Sequence, residues 1–159
     1  FVLRRLVERG VRDAAIGCIW DPVAVAFCAE AGIGAALALR IGGKSGPVSG
    51  PPIDLRVTVR AIVDDHSQGG LSGDRAQYGR SAWVHADGID IILTSKRQQV
   101  FQPDAFTGLG CTLSDKRIIV VKSMQHFFTG FAPISTAVRL NTLKRRPIGS
   151  SMSSSSANR

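Results

Sequence analysis

The chain has 159 residues, 44% hydrophobic and 20% charged, enough for one domain with its own core, and no apolar run approaches the roughly 20 residues a helix needs to cross a bilayer. Of the net charge of +8, five units come from Arg139, Lys144, Arg145, Arg146 and Arg159, in a stretch without an acid. A basic end of that kind is ordinarily solvated and no nucleic-acid motif accompanies it, so the charge does not point to nucleic acid.

In chain order, residues 1–9 read as a helix with Phe1, Leu3, Leu6 and Val7 inside, stopped by Gly10. A helix already under way at Phe1 implies sequence upstream, and Arg4, Arg5 and Arg9 interrupt any leader-like apolar run. Residues 14–20 (AAIGCIW) are a short buried strand. Asp21-Pro22 opens a helix, with Asp as N-cap and Pro in the first turn, that runs to Gly32. Residues 35–41 form a second strand, and 42–52 (GGKSGPVSGPP) hold too much Gly and Pro for any regular element. Residues 53–63 alternate, with Ile53, Leu55, Val57, Val59, Ala61 and Val63 on one face, as a long half-buried antiparallel strand does. Residues 64–80 are polar, glycine-rich and aperiodic, a surface loop. Residues 81–86 and 89–94 flank Asp87-Gly88, the strongest hairpin signal present. Residues 103–109 make one or two helical turns, 117–122 (RIIVVK) are another buried strand, and 149–159 are a serine-rich stretch expected to be disordered. The expectation is a single mixed α/β domain over residues 1–148, with buried strands, one hairpin and flanking helices, followed by a disordered tail.

Polar clusters stand where three buried strands end: Asp21, residues 94–99 (TSKRQQ) and residues 123–126 (SMQH). Ligand sites of open α/β sheets collect at the carboxyl ends of strands. Asp21 is most simply a helix cap. Gly43-Lys44-Ser45 resembles a phosphate loop, but Ala38 stands where a glycine is required and prolines forbid the following helix, so a Walker loop is rejected. Lys44 remains either a cation for an anionic group or an exposed turn lysine. Ser95, Arg97 and Gln99 form a donor-rich strand end suited to a carboxylate or peptide carbonyl, or else a solvated edge. His66 falls in the polar loop and His85 alternates outward. His126 lies beside Phe127 and Phe128 just past a strand, as a core histidine, a metal ligand, an acid/base or an oxyanion donor. No metal-ligand spacing and no HExxH occur, so no metal ligand is assigned. Cys18, Cys28 and Cys111 form no CxxC pair, the pattern of reduced intracellular thiols, with Cys18 and Cys28 in apolar surroundings.

Four segments carry a resemblance: residues 8–25 (ERGVRDAAIGCIWDPVAV), 39–53 (LRIGGKSGPVSGPPI), 89–110 (IDIILTSKRQQVFQPDAFTGLG) and 117–134 (RIIVVKSMQHFFTGFAPI). In order and spacing they are similar to the C-terminal domain of the microcystinase C (MlrC) family of metallopeptidases. The resemblance implies the C-terminal half of a zinc-dependent peptidase or amide hydrolase of the cytoplasm. Its own N-terminal domain would hold most of the ligands for one or more zinc ions, and this chain alone would be inactive. It further implies a peptide or amide substrate, His126 as oxyanion donor or as a group next to the metal, and Ser95, Arg97, Gln99, Ser123 and Gln125 orienting substrate, with Lys44 gating from its loop. No nucleic acid and no membrane are implied. The alternatives are a non-catalytic binding or structural domain, or another amide or ester hydrolase on the same scaffold. Two departures stand out: the glycine-rich Asp-Asn-Pro-Gly-Gly stretch that precedes the domain in the family is absent, and the segment after Pro133 looks shortened.

Overall fold

The apolar run AAIGCIW lacks polar alternation because both of its faces are covered. It forms β1 (Ala14–Trp20), which lies inside a sheet and pairs in parallel with strands on either side, the setting in which strands read as continuous hydrophobic runs. A computed structural model describes residues 2–46, 49–124 and 126–139. The elements are α1 (Val2–Glu8), β1, α2 (Pro22–Ala31), β2 (Ala36–Ile41), β3 (Ile53–Gly69), β4 (Arg75–Ala86), β5 (Ile89–Thr94), α3 (Asp104–Thr107), β6 (Ile118–Val121) and α4 (Phe127–Phe131), then a 3-10 turn, Ala132–Ile134. One mixed sheet runs β2-β3-β4-β5-β1-β6. Neighbours from β2 to β5 are antiparallel, while β5, β1 and β6 are parallel. On one face α1 and α2 bury Leu3, Leu6, Ala24, Val25 and Cys28 against Ile16, Val57 and Leu93. On the other, Phe106 of α3 and Phe127 and Phe131 of α4 pack over Ala15, Cys18 and Ile92. The fold is the mixed α/β domain expected.

The Asp87-Gly88 turn is as expected, joining Ala86 to its partner Ile89, with φ of 50° and 82° at its two residues, the positive pair of a type I′ turn. Three expectations are corrected. Residues 64–80 are not a loop: β3 continues to Gly69, β4 starts at Arg75, and only a tip closed by Gly70 N–H to Asp74 O (2.8 Å) separates them. Periodicity fails there because the ladder shifts register on both sides of His66 and because the buried residues are polar, His66 and Gln68. The alternation of 53–63 also breaks. A shift between Val59 and Ala61 leaves Leu55, Val57 and Val59 in the first core and sets Ala61 and Val63 against the second. Finally, RIIVVK is not a buried strand; β6 is the sheet edge, paired with β1, and Ile118 is 41% exposed. The serine-rich residues 149–159 lie outside the described residues.

Candidate functional site at the strand ends

Because β5, β1 and β6 run in parallel, their carboxyl ends open on the same edge. Trp20 pairs with Thr94, the Asp21 amide donates to Thr94 O at 2.9 Å, and the Trp20 indole donates to Ser95 O at 3.0 Å. Val100 N–H reaches Lys122 O at 3.4 Å, and Met124 N–H reaches Gln99 Oε1 at 3.2 Å. The three polar clusters thus sit side by side.

Asp21 is fully buried and more than a cap. Its Oδ1 accepts from Ala24 N–H (3.0 Å), while Oδ2 accepts from Gly42 N–H (2.9 Å) and Lys44 Nζ (2.6 Å). Gly42 and Lys44 are thereby pinned to the start of α2. Gly43 is needed there: its φ is +72° and a Cβ would stand 2.7 Å from the Pro52 ring. Lys44, which also donates to Arg40 O at 3.0 Å, holds an anion of its own chain.

Ser95 is half-buried, with its hydroxyl on Tyr78 O at 3.4 Å, and lines an open groove of about 460 Å³ with Pro22, Val25, Ala26 and Arg80. Arg97 is exposed. The patch around Phe101 holds Gln99, Ser123 and His126. The Ser123 hydroxyl is buried with no partner among the described residues. His126 is exposed at the start of α4, its ring edge-on to Phe101 at 6.1 Å. Gln125 lies outside the described residues.

Sequence reasoning missed what lies beneath this patch. Gln68, fully buried on the β3–β4 arm, donates from Nε2 to Gln99 O at 2.6 Å, and its Oε1 accepts from Phe101 N–H (2.8 Å) and Gln102 N–H (3.2 Å). The Tyr78 hydroxyl donates to the same Gln99 O at 3.0 Å, and burial pushes its pKa up. Beside it His66 is buried rather than in a loop. Its Nε2 is 3.0 Å from Ala105 O, its ring stacks on Tyr78 at 5.2 Å, and burial holds its pKa below the ordinary value. No sequence signal marked these residues, since polar groups in an aperiodic stretch read as solvated. His85 does not simply point outward either; its Nδ1 is 2.8 Å from Asp90 Oδ1. Burial opposes the charge on Asp90, but Lys116, His85 and Trp83 together hold its carboxyl below the usual range. That cluster is at the far end of β5 from the patch.

Among the described residues no group of three or more His, Cys, Asp or Glu is placed to hold a metal ion. These side chains therefore do not by themselves fit a metal centre.

The family model for the MlrC C-terminus matches residues 1–142. Microcystinase C from Sphingomonas sp is 37% identical over 135 residues, covering 85% of this chain and 26% of that protein. A crystal structure of a Mesorhizobium sp. BNC1 protein, which carries a provisional metallopeptidase assignment, matches with a TM-score of 0.74 at 24% identity, over 84% of this chain and 28% of that one. At that identity the likeness speaks for the fold. The chain spans about a quarter of the length of these relatives. With a family model over residues 1–142 and a relative more than a third identical, this chain belongs to the MlrC C-terminus family.

Proposed function

We propose that this chain is the substrate-holding, transition-state-stabilising part of a zinc-dependent peptidase or amide hydrolase resembling Microcystinase C. The observation that carries the reading is the meeting of Gln99, Ser123 and His126 around Phe101 at the ends of three parallel strands. In a family-length protein the zinc is held by residues outside the described ones. A peptide bond lying over the patch finds donors of different kinds. The Gln99 carbonyl is held by Tyr78 and Gln68 and its Oε1 by Met124 N–H, which leaves its Nε2 to orient a substrate carbonyl. The Ser123 hydroxyl is desolvated and ready for a partner. Arg97 steers a substrate carboxylate; the resemblance adds Ser95 and Gln125 as residues that orient substrate. His126, exposed and ring-supported, donates to the oxyanion as charge develops. Lys44 acts indirectly, by keeping its loop closed on Asp21.

The test is His126→Ala in a family-length protein containing this chain, assayed on a peptide substrate. We expect kcat to fall about 10²–10³-fold with a smaller change in KM, because the interaction strengthens only in the transition state. Zinc content and melting temperature should be unchanged in the same preparation. Normal turnover with a lowered melting temperature would make His126 a structural residue, and loss of zinc together with activity would make it a ligand.

A further inference from the structure

The strand-end patch is bordered by large apolar side chains that nothing in the described chain covers. Met124 is 70% exposed, Phe128 54% and Ile134 52%. Phe128 lies on the outer side of the short α4 whose Phe127 and Phe131 are buried, and Met124 and Ile134 flank that helix in the chain. Isolated exposed apolar residues are ordinary, but several clustered on one short segment mark an interaction surface. The neighbouring cations are also unanswered. Lys96, Arg97 and Lys122 are exposed, and none forms an ion pair among the described residues. The bonds from Met124 N–H to Gln99 Oε1 and from Val100 N–H to Lys122 O join the two segments into one surface.

We propose that this surface, residues 122–124 and 126–134 with Lys96 and Arg97, is where the remainder of a family-length protein docks, through a face that is apolar at its centre and acidic at its rim. Three observations select that occupant. The relatives are about four times longer than the matched region, so a large body remains to be packed. The described residues hold no metal-binding group, so the site is completed from outside. The apolar residues are continuous with Ser123 and His126, so a body seated here closes directly over the patch. The inference rests on the functional reading above, but its test reads association and not catalysis.

The experiment co-expresses the tagged portion of Sphingomonas Microcystinase C lying outside the matched 135 residues with this chain, and measures stoichiometric recovery on the tag. The wild-type chain should be retained. The double variant Met124→Glu/Phe128→Glu should lower recovery roughly tenfold or more, as loss of a central interface anchor does. Lys122→Glu should lower it less, and more at low than at high salt. Phe27→Glu, on the exposed outer side of α2 (Phe27 is 56% exposed), should leave it unchanged. Because all of these side chains are solvent-exposed, each variant should keep the wild-type melting curve, so loss of recovery cannot be assigned to unfolding. Failure of the wild-type chain to be retained overturns the proposal. So does loss of recovery with Phe27→Glu but not with the double variant. Sedimentation of the chain alone supplies the last check: a homodimer dissolved by Phe128→Glu would make a second copy the occupant and overturn the proposal as well. A catalytically dead complex that still assembles would leave the docking surface standing and count only against the functional reading.

Discussion

Replacing Gln68 by Leu should loosen the floor of the strand-end patch. Gln68 has no exposure to water and makes three hydrogen bonds to the 99–102 backbone. Leucine fills a similar volume but strands the Phe101 and Gln102 amides, while Gln99 O keeps the Tyr78 hydroxyl. An unpaired buried polar group costs about 1–3 kcal/mol. With two groups stranded and some gain from the added apolar side chain, the net loss should be about 2–4 kcal/mol, which for a domain of this size lowers the melting temperature by roughly 4–16 °C. Thermal unfolding by circular dichroism reads the loss, and amide exchange at Phe101 and Gln102 localises it. Gln68→Glu supplies an internal check. It sets a carboxyl oxygen opposite Gln99 O, where the amide stood at 2.6 Å, so the folded protein favours the protonated acid and raises its pKa. A raised folded-state pKa gives stability that is full below the unfolded value, about 4.3, and is lost as pH rises through the folded one. Gln68→Glu should therefore match wild type best in acid and fall behind at neutral pH. A Gln68→Leu protein that melts within about 2 °C of wild type, on the same scale, with unchanged exchange at both amides, would refute the claim that this side chain braces the patch.

Lys44→Met leaves the buried Asp21 carboxylate with only two N–H donors. Hydrogen bonds to charged groups are worth about 1.5–3 kcal/mol, and since the Lys44 side chain is 28% exposed solvent screening places the loss at the lower end; an unmoved urea midpoint would mean that Gly42 alone holds the loop. Burial depresses the His66 pKa below 6.5, so the unfolded chain takes up the proton first. The stability this gives is present above pH 6.5 and is lost as pH falls below it; urea midpoints should drop on acidification, and His66→Gln should flatten that drop. Burial pushes the thiols of Cys18 and Cys111 up to about 12 and that of Cys28 up to about 11. Iodoacetamide at mildly alkaline pH should therefore label all three only after unfolding, and rapid native labelling of any one would contradict its placement in the core.

Local chemistry carried much of the architecture into the sequence. Asp21-Pro22 marks a helix start and Asp87-Gly88 a type I′ turn because each solves a backbone problem within four residues. AAIGCIW is legible as a strand because two covered faces demand an unbroken apolar run. The order of the IWDP, GGKSGP, TSKRQQ and KSMQHF elements identifies the family, since their combination is specific where each alone is weak. That three polar strand ends would meet was also readable, given parallel strands.

What tertiary structure alone decided concerns partners distant in sequence. Gln68 and His66 look like loop residues until Gln99 and Ala105 arrive to satisfy them, because a buried polar side chain is admissible only with a partner that local sequence does not name. The bulge after Val59 turns Ala61 and Val63 to the other core, although the alternation itself reads straight on. Lys44 could have faced a ligand or solvent, and the capture by Asp21, 23 positions away in the chain, settles its contact. Strand β6 reads as buried from four apolar residues, yet pairs with β1 at the sheet edge. A sequence records what each segment can bury, but which side is covered depends on the elements that fold back onto it.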